Sequence, residues 1–393
     1  MANDPVLLNP RRGAALAGCL CLCLCLFLAA CAKDPPGDNL SVGTGGTGVG
    51  GGIGGLGTGG SPYPPFVPGP RNPVADHGQL QVVGTQLLDA AGVPVQLRGA
   101  SSMWLNWESR PFAESKPALQ YARDNWGLSV IRAAMGIEVS GGYLSSDASK
   151  ATMQTKVETI VQNAIDLGLY VIIDWHTEIA TTQMAQASAF FTTMATEFGT
   201  VPNVIYEPYN EPVGVTWAQI KPYHEAVVAA IRAVDPDNLI IMGTPTYSQD
   251  VDLAAADPVA GTNLLYTLHF YACTHRQSLR TKAGKAIGAG AALFITEFGA
   301  TPADGGVASS SNNIVCAAET MNWFDFMATN NISGLAWKLD QCTDSSCILA
   351  SGAPADGPWT DDLLTASPPG VAAVGGSVKG GGQGQFVVDW IRQ

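Results

Sequence analysis

From residue 97 onward the chain repeats one pattern. Short apolar runs recur at 97–101, 129–133, 170–174, 204–207, 239–242, 265–269, 293–296 and 334–337. These runs are continuously apolar rather than alternating, which is how strands covered by helices on a parallel sheet read. Longer amphipathic stretches separate them, and those at 150–167, 182–198, 217–234 and 317–329 are predicted helices. Strand–helix alternation specifies an α/β fold with a parallel sheet. Eight such strands close into a single (β/α)8 TIM barrel. Ahead of the first strand, 80–83 and 93–97 read as a β-hairpin that would cap the barrel floor.

In such a barrel the chemistry sits at the C-terminal ends of the strands. Those ends carry Arg132, then Trp175 and His176, then Asn210 and Glu211, then His269 and Tyr271, then Glu297, then Trp337. Each has a structural explanation when taken alone. An acid beside Pro212 suits a helix start, tryptophans fill cores, and a single histidine more often bonds than catalyses. The set is harder to explain by packing, because every one of those explanations must hold at once. The runs before Asn210 and Phe298 each deliver a glutamate, in Ile205-Tyr206-Glu207-Pro208-Tyr209-Asn210-Glu211-Pro212 and in Leu293-Phe294-Ile295-Thr296-Glu297-Phe298-Gly299. Two carboxylates facing one gap are the minimum machinery for breaking a glycosidic bond.

The flanking sequence bounds the rest. With 20 Lys+Arg against 33 Asp+Glu and a net charge of -13, nothing basic clusters, and binding to nucleic acid has no electrostatic support. Residues 1–31 read as an export leader: Arg11 and Arg12 precede the apolar stretch 13–30, and Leu28-Ala29-Ala30-Cys31 resembles a bacterial lipobox. Cys31 is then the expected lipidation site, tethering an exported protein to the membrane; an ordinary secretory signal is the alternative. Residues 32–76, rich in Gly and Pro, are expected to be a disordered linker, and 77–393 the catalytic-sized barrel domain. Five of the nine cysteines fall in the leader. The remaining Cys273, Cys316, Cys342 and Cys347 suit disulfides in an exported chain. Cys342 with Cys347 would close a small loop and leave Cys273 to Cys316, one of three possible connectivities. Their spacing suits a metal poorly, so neither metal nor cofactor is expected, and the chain is expected to be monomeric.

Taken in order, Arg98-Gly99-Ala100-Ser101-Ser102, Val130-Ile131-Arg132-Ala133-Ala134-Met135, Val171-Ile172-Ile173-Asp174-Trp175-His176, Asn210-Glu211-Pro212, Tyr247-Ser248-Gln249-Asp250-Val251, Leu268-His269-Phe270-Tyr271-Ala272 and Thr296-Glu297-Phe298-Gly299 resemble glycoside hydrolase family five, in its bacterial endoglucanase branch. The resemblance runs from about Gln96 to Gly370. It implies a retaining endo-β-1,4-glucanase with a β-glucan substrate, Glu211 as acid/base and Glu297 as nucleophile. It further implies Arg132 and Tyr271 as partners of Glu297, Asn210 at the sugar 2-hydroxyl, His176 and His269 in the polar shell, and Trp337 beneath the sugar. Trp107 and Tyr247 are the expected platforms on the non-reducing and leaving-group sides, since aromatic faces suit the apolar faces of sugars. Burial and the nearby negative Glu297 are expected to raise the Glu211 pKa. The chain departs from the branch at Met103, where a histidine often follows the serine pair, and at Cys342 and Asp344, where lysine and glutamate are common. Those departures leave mannan, xylan or mixed-linkage glucan as alternative substrates of the same chemistry. A carbohydrate-binding barrel without activity is the alternative of another kind.

Overall fold

A computed structural model describes residues 65–303, 314–342, 344–366 and 381–393. The leader with Cys31, and the linker as far as residue 64, lie outside the described residues.

The described chain opens on α1 (Pro73–His77) and a hairpin of β1 (Gln81–Val83) and β2 (Gln86–Leu88). The barrel strands are β3 (Arg98–Ser102), β4 (Val130–Gly136), β5 (Tyr170–His176), β6 (Val204–Glu207), β7 (Leu239–Met242), β8 (Leu264–Tyr271), β9 (Leu293–Gly299) and β10 (Gly334–Leu339). They pair in parallel and in sequence order, with β10 closing on β3. The helices around them are α2 (Lys116–Trp126), α3 (Asp147–Leu167), α4 (Met184–Phe198), α5 (Trp217–Arg232), α6 (Pro245–Ser248), α7 (Val251–Ala256), α8 (Gln277–Gly288), α9 (Ala317–Asn330) and α10 (Gly384–Ile391). This is the (β/α)8 barrel read from the sequence.

Local chemistry sets the boundaries. The α3 helix starts where the Ser146 side chain accepts from the Ser149 amide, and it stops at Gly168, whose φ of 69° suits a residue without a Cβ. The hairpin differs from expectation. Its second strand is β2, two residues after β1, with Gly84 at φ 61° turning the chain. The expected partner, 93–97, makes only an isolated bridge at Leu88–Pro94, closed by Asp89 N to Val93 O and Val95 N to Leu87 O. The capping role survives that change. Leu80, Leu87 and Val95 share one buried apolar cluster with Leu97, Val130, Tyr170, Ile205, Leu239 and Leu335, residues at the strand starts.

Residues 65–76, read in the sequence as the end of the linker, pack on that same floor. The Arg71 guanidinium lies 4.5 Å from the Phe66 ring centroid, and the Val74 amide donates to Gly168 O. Several strands also run longer than expected. β4, β5, β8 and β9 continue through their polar residues, with Gly136 paired to His176 and Tyr271 to Gly299. Ladder bonds come from the backbone, so a polar side chain does not end a strand.

Candidate active site

Extended backbone sends alternate side chains to opposite faces of the barrel wall. On β5, Asp174 and His176 therefore face inward while Trp175 between them faces the helices. Trp175 packs on Tyr143 and Phe190 and donates its indole N–H to Gln183; it is a core residue. The same alternation turns Arg132 inward from β4, Glu207 from β6, and His269 and Tyr271 from β8. On β9 the register shifts by one residue between the Thr267–Phe294 and His269–Glu297 pairs, and this brings Glu297 inward next to Thr296.

Arg132 is the hub, with no exposed surface. Its Nε donates to Glu207 Oε2 at 2.7 Å and its Nη2 to Glu207 Oε1 at 3.3 Å. Nη2 also reaches Asn210 Oδ1 at 2.7 Å and Asp174 Oδ2 at 2.9 Å. Nη1 reaches Glu297 Oε2 at 3.2 Å and Ser101 Oγ at 3.3 Å. Burial opposes its charge, but Asp174, Glu207 and Glu297 outweigh burial and raise its pKa. Burial pushes Asp174 up to about 8 even with Arg132 pulling the other way, and it raises Glu207 too.

Glu297 is thus gripped by Arg132 on one oxygen and by the Tyr271 hydroxyl, at 2.5 Å, on the other. Glu211 follows β6 on a loop whose amides pair with the chain after β5, Glu211 N to Thr177 O and Val213 N to Glu178 O. Glu211 Oε1 lies 2.8 Å from His269 Nδ1. Its pKa is pushed up to about 8, first by burial and next by the negative Glu178. The expected second cause, Glu297, is not among the leading ones; Glu178, which the sequence reading passed over, takes that place. One carboxylate oxygen of Glu211, one of Glu297 and a ring nitrogen of His269 lie within 4.8 Å of one another. That trio has the composition of a metal site, but each member is already engaged by a protein partner in a way that suits proton transfer.

The remaining sequence candidates fall around this pair. The Asn210 amide spans Arg132 and His176, with its nitrogen 3.4 Å from His176 Nε2. His176 Nδ1 sits 2.6 Å from Asp174 Oδ2, and burial drops its pKa well below the usual value. Trp337 stacks on His176 at 5.4 Å and 6°. Trp104, which the sequence reading did not single out, meets His176 edge-on at 4.4 Å and stacks on Trp107 at 5.0 Å. An aromatic track therefore leads from Trp337 to Trp107, which is 42 % exposed. Tyr247 lies in α6, a single turn in which Thr246, Tyr247 and Ser248 all take φ of 55–58°. Such strain persists where surroundings enforce it. Here the Tyr247 amide donates to Pro212 O and Ser248 Oγ to Asn210 O, tying the turn to the Glu211 loop.

The cysteines meet in the pairs expected, with Cα–Cα separations of 5.3 Å for Cys273–Cys316 and 5.8 Å for Cys342–Cys347. In the second loop Asp344 turns to Lys338 Nζ at 3.3 Å and to Ser346. Asp174, Glu207, Glu178, Thr296 and Trp104 are the site residues that the sequence reading missed. For Asp174, Glu207 and Thr296 the available signal was an acid or hydroxyl closing an apolar run; Trp104 and Glu178 lie in loops that carry no such signal.

Comparison with known proteins agrees with this geometry. Residues 88–343 match the family model for cellulase, glycosyl hydrolase family 5. An endoglucanase of Clostridium saccharobutylicum is 47% identical over 295 residues, covering 74% of this chain and 63% of the relative. Endoglucanase Z of Dickeya dadantii is 48% identical over 245 residues, covering 62% and 55%. The chain thus spans less than two thirds of the length of these curated relatives. Among solved structures, the catalytic domain of a Thermobifida fusca endoglucanase in complex with cellotetraose superposes with a TM-score of 0.71 at 30% identity, covering 82% of this chain and all of that one.

Proposed function

The chain belongs to glycoside hydrolase family 5, and from that premise we propose that it is a retaining endo-β-1,4-glucanase, cleaving internal bonds of a β-glucan by double displacement. The observation that carries this reading is the approach of Glu211 and Glu297, with carboxylate oxygens within 4.8 Å. Retaining chemistry needs carboxyl groups about 5–5.5 Å apart, whereas inversion needs roughly 6.5–9.5 Å to admit a water.

In this mechanism Glu297 attacks the anomeric carbon, held in place by Arg132 and Tyr271. Glu211 protonates the leaving oxygen, a task suited to a carboxyl group that keeps its proton to about pH 8. With the glycosyl group on Glu297, Glu211 takes a proton from the incoming water. Asn210, fixed by Arg132, meets the sugar 2-hydroxyl. Trp337 lies under the sugar ring, Trp104 and Trp107 carry the chain outward, and Tyr247 serves the side near Glu211. The choice of a β-1,4-glucan follows from the relatives, named as endoglucanases, and from the neighbour solved with cellotetraose.

Hydrolysis of carboxymethyl cellulose, mixed-linkage β-glucan, mannan and xylan, measured side by side, tests the substrate. Fastest release from a β-1,4-glucan is expected, and faster release from mannan or xylan would move the enzyme to that substrate. Glu297→Gln is expected to abolish release on all four; retained release would refute the mechanism. We read residues 1–31 as an export signal ending in lipidated Cys31. Labelled palmitate should enter the wild type and not Cys31→Ala.

A further inference from the structure

Resting on the reading of Glu211 as the acid/base, we propose that Thr296 is a positioning residue that, anchored by Glu207, fixes the tautomer of His269 so that Glu211 must carry a proton in the free enzyme. The argument is a count of protons and lone pairs. Thr296 Oγ1 is fully buried and has three polar neighbours: Glu207 Oε1 at 2.6 Å, His269 Nε2 at 2.9 Å and Thr267 Oγ1 at 2.5 Å. A hydroxyl has one proton to give and two lone pairs to receive with.

Glu207 is held by two Arg132 nitrogens. As a carboxylate it can only accept, so it takes the one Thr296 proton. Thr267 must then donate to Thr296, and its own oxygen accepts from the Thr296 amide. The last lone pair of Thr296 receives an N–H from His269 Nε2. His269 is 1 % exposed, and burial holds its pKa down at about 4. It is therefore neutral and has a single ring proton, which sits on Nε2. Nδ1 is left as a bare lone pair, 2.8 Å from Glu211 Oε1. A hydrogen bond across that gap exists only if Glu211 supplies the proton.

The arrangement serves both steps of a double displacement. It favours the protonated acid before the leaving group departs. Afterwards the Glu211 carboxylate faces a lone pair instead of a donor, which makes it a stronger base toward water. The charged and titratable groups around Glu211 are Glu178, Arg132, Asp174 and Glu207, with His269, Tyr271 and Glu297 alongside. Those around His269 are Glu297, Arg132, Glu207 and His176, besides Glu211. Replacing Thr296 by valine leaves all of them in place and removes only the hydroxyl.

In Thr296→Val the His269 proton is free to move to Nδ1, where it donates to the Glu211 carboxylate and stabilises the charged form. The alkaline limb of kcat/KM should then move to lower pH by about one unit, the worth of one hydrogen bond reversing direction. Thr296→Ser, which keeps the hydroxyl, should restore the limb. Nitrogen-15 NMR should find the His269 proton on Nε2 in the wild type and on Nδ1 in Thr296→Val. A wild-type Nδ1–H tautomer, or an unmoved limb in Thr296→Val, would overturn the proposal while leaving the catalytic pair intact. A Glu211→Gln enzyme that kept its turnover would remove the underlying reading itself.

Discussion

Replacing Arg132 by methionine should reveal how the site holds its charges. The guanidinium is the counter-ion for three carboxylates, Asp174, Glu207 and Glu297, whose side chains are 0 %, 0 % and 6 % exposed. Methionine keeps a long chain of similar bulk and removes the charge. Deleting one partner of a buried ion pair costs about 3–5 kcal/mol, so at pH 8 the variant should lose at least about 3 kcal/mol of stability. The loss must depend on pH. In the wild type the folded pKa of Asp174, about 8, already exceeds the ordinary carboxylate value of 3.8. Between those values the native state binds more protons than the unfolded state, and stability falls as pH rises through the window. Without Arg132 the folded pKa values of Asp174 and Glu207 climb further, so the gap to wild type should be widest at pH 8. At pH 5 protonation relieves the stranded carboxylates, and the gap should shrink to under about half. Urea unfolding of both proteins at the two pH values measures this. A gap below about 1 kcal/mol at pH 8, or an equal gap at both, would refute the view of Arg132 as an electrostatic keystone.

Three further outcomes follow from the same geometry. Tyr271→Phe removes a hydroxyl 2.5 Å from Glu297; a hydrogen bond to a charged group is worth about 1.5–3 kcal/mol, so kcat/KM should drop roughly 10- to 150-fold. Trp107→Ala should raise KM for cello-oligosaccharides by about 2- to 12-fold, the range of an aromatic contact, with kcat unchanged, and a kcat loss would move Trp107 into the reacting centre. Because Glu211 must be protonated to act as acid and its pKa is about 8, kcat/KM should decline above about pH 8; decline beginning near pH 5 would contradict its burial against Glu178.

Much of this molecule was legible in the sequence, and the parts that were not share a cause. Continuous apolar runs revealed the barrel because parallel strands are buried on both faces, and Glu211, Glu297, Arg132, Asn210 and His269 stood out as polar residues where such runs end. Reading the residues just past each run hid Asp174, Glu207 and Thr296, which close the runs 170–174, 204–207 and 293–296 and contribute to the same site. Trp175 shows the reverse error, since a residue next to two inward-facing neighbours must face out. The hairpin was misplaced because Val93–Leu97 reads as a strand, while the chain already turns back at Gly84, whose φ of 61° permits the tight turn between β1 and β2. Glu178 was invisible to strand logic altogether; it reaches Glu211 through loop-to-loop pairing, which no periodicity records.

The central claim is that Glu297 becomes covalently glycosylated, and it has a direct test. Incubation with an activated 2-deoxy-2-fluoro cellobioside slows breakdown of such an intermediate, and peptide mass mapping then locates the sugar. The account predicts one added glycosyl mass on the peptide containing Glu297, absent in Glu297→Gln. A sugar carried on another residue, or none at all while the enzyme is inactivated, would contradict it.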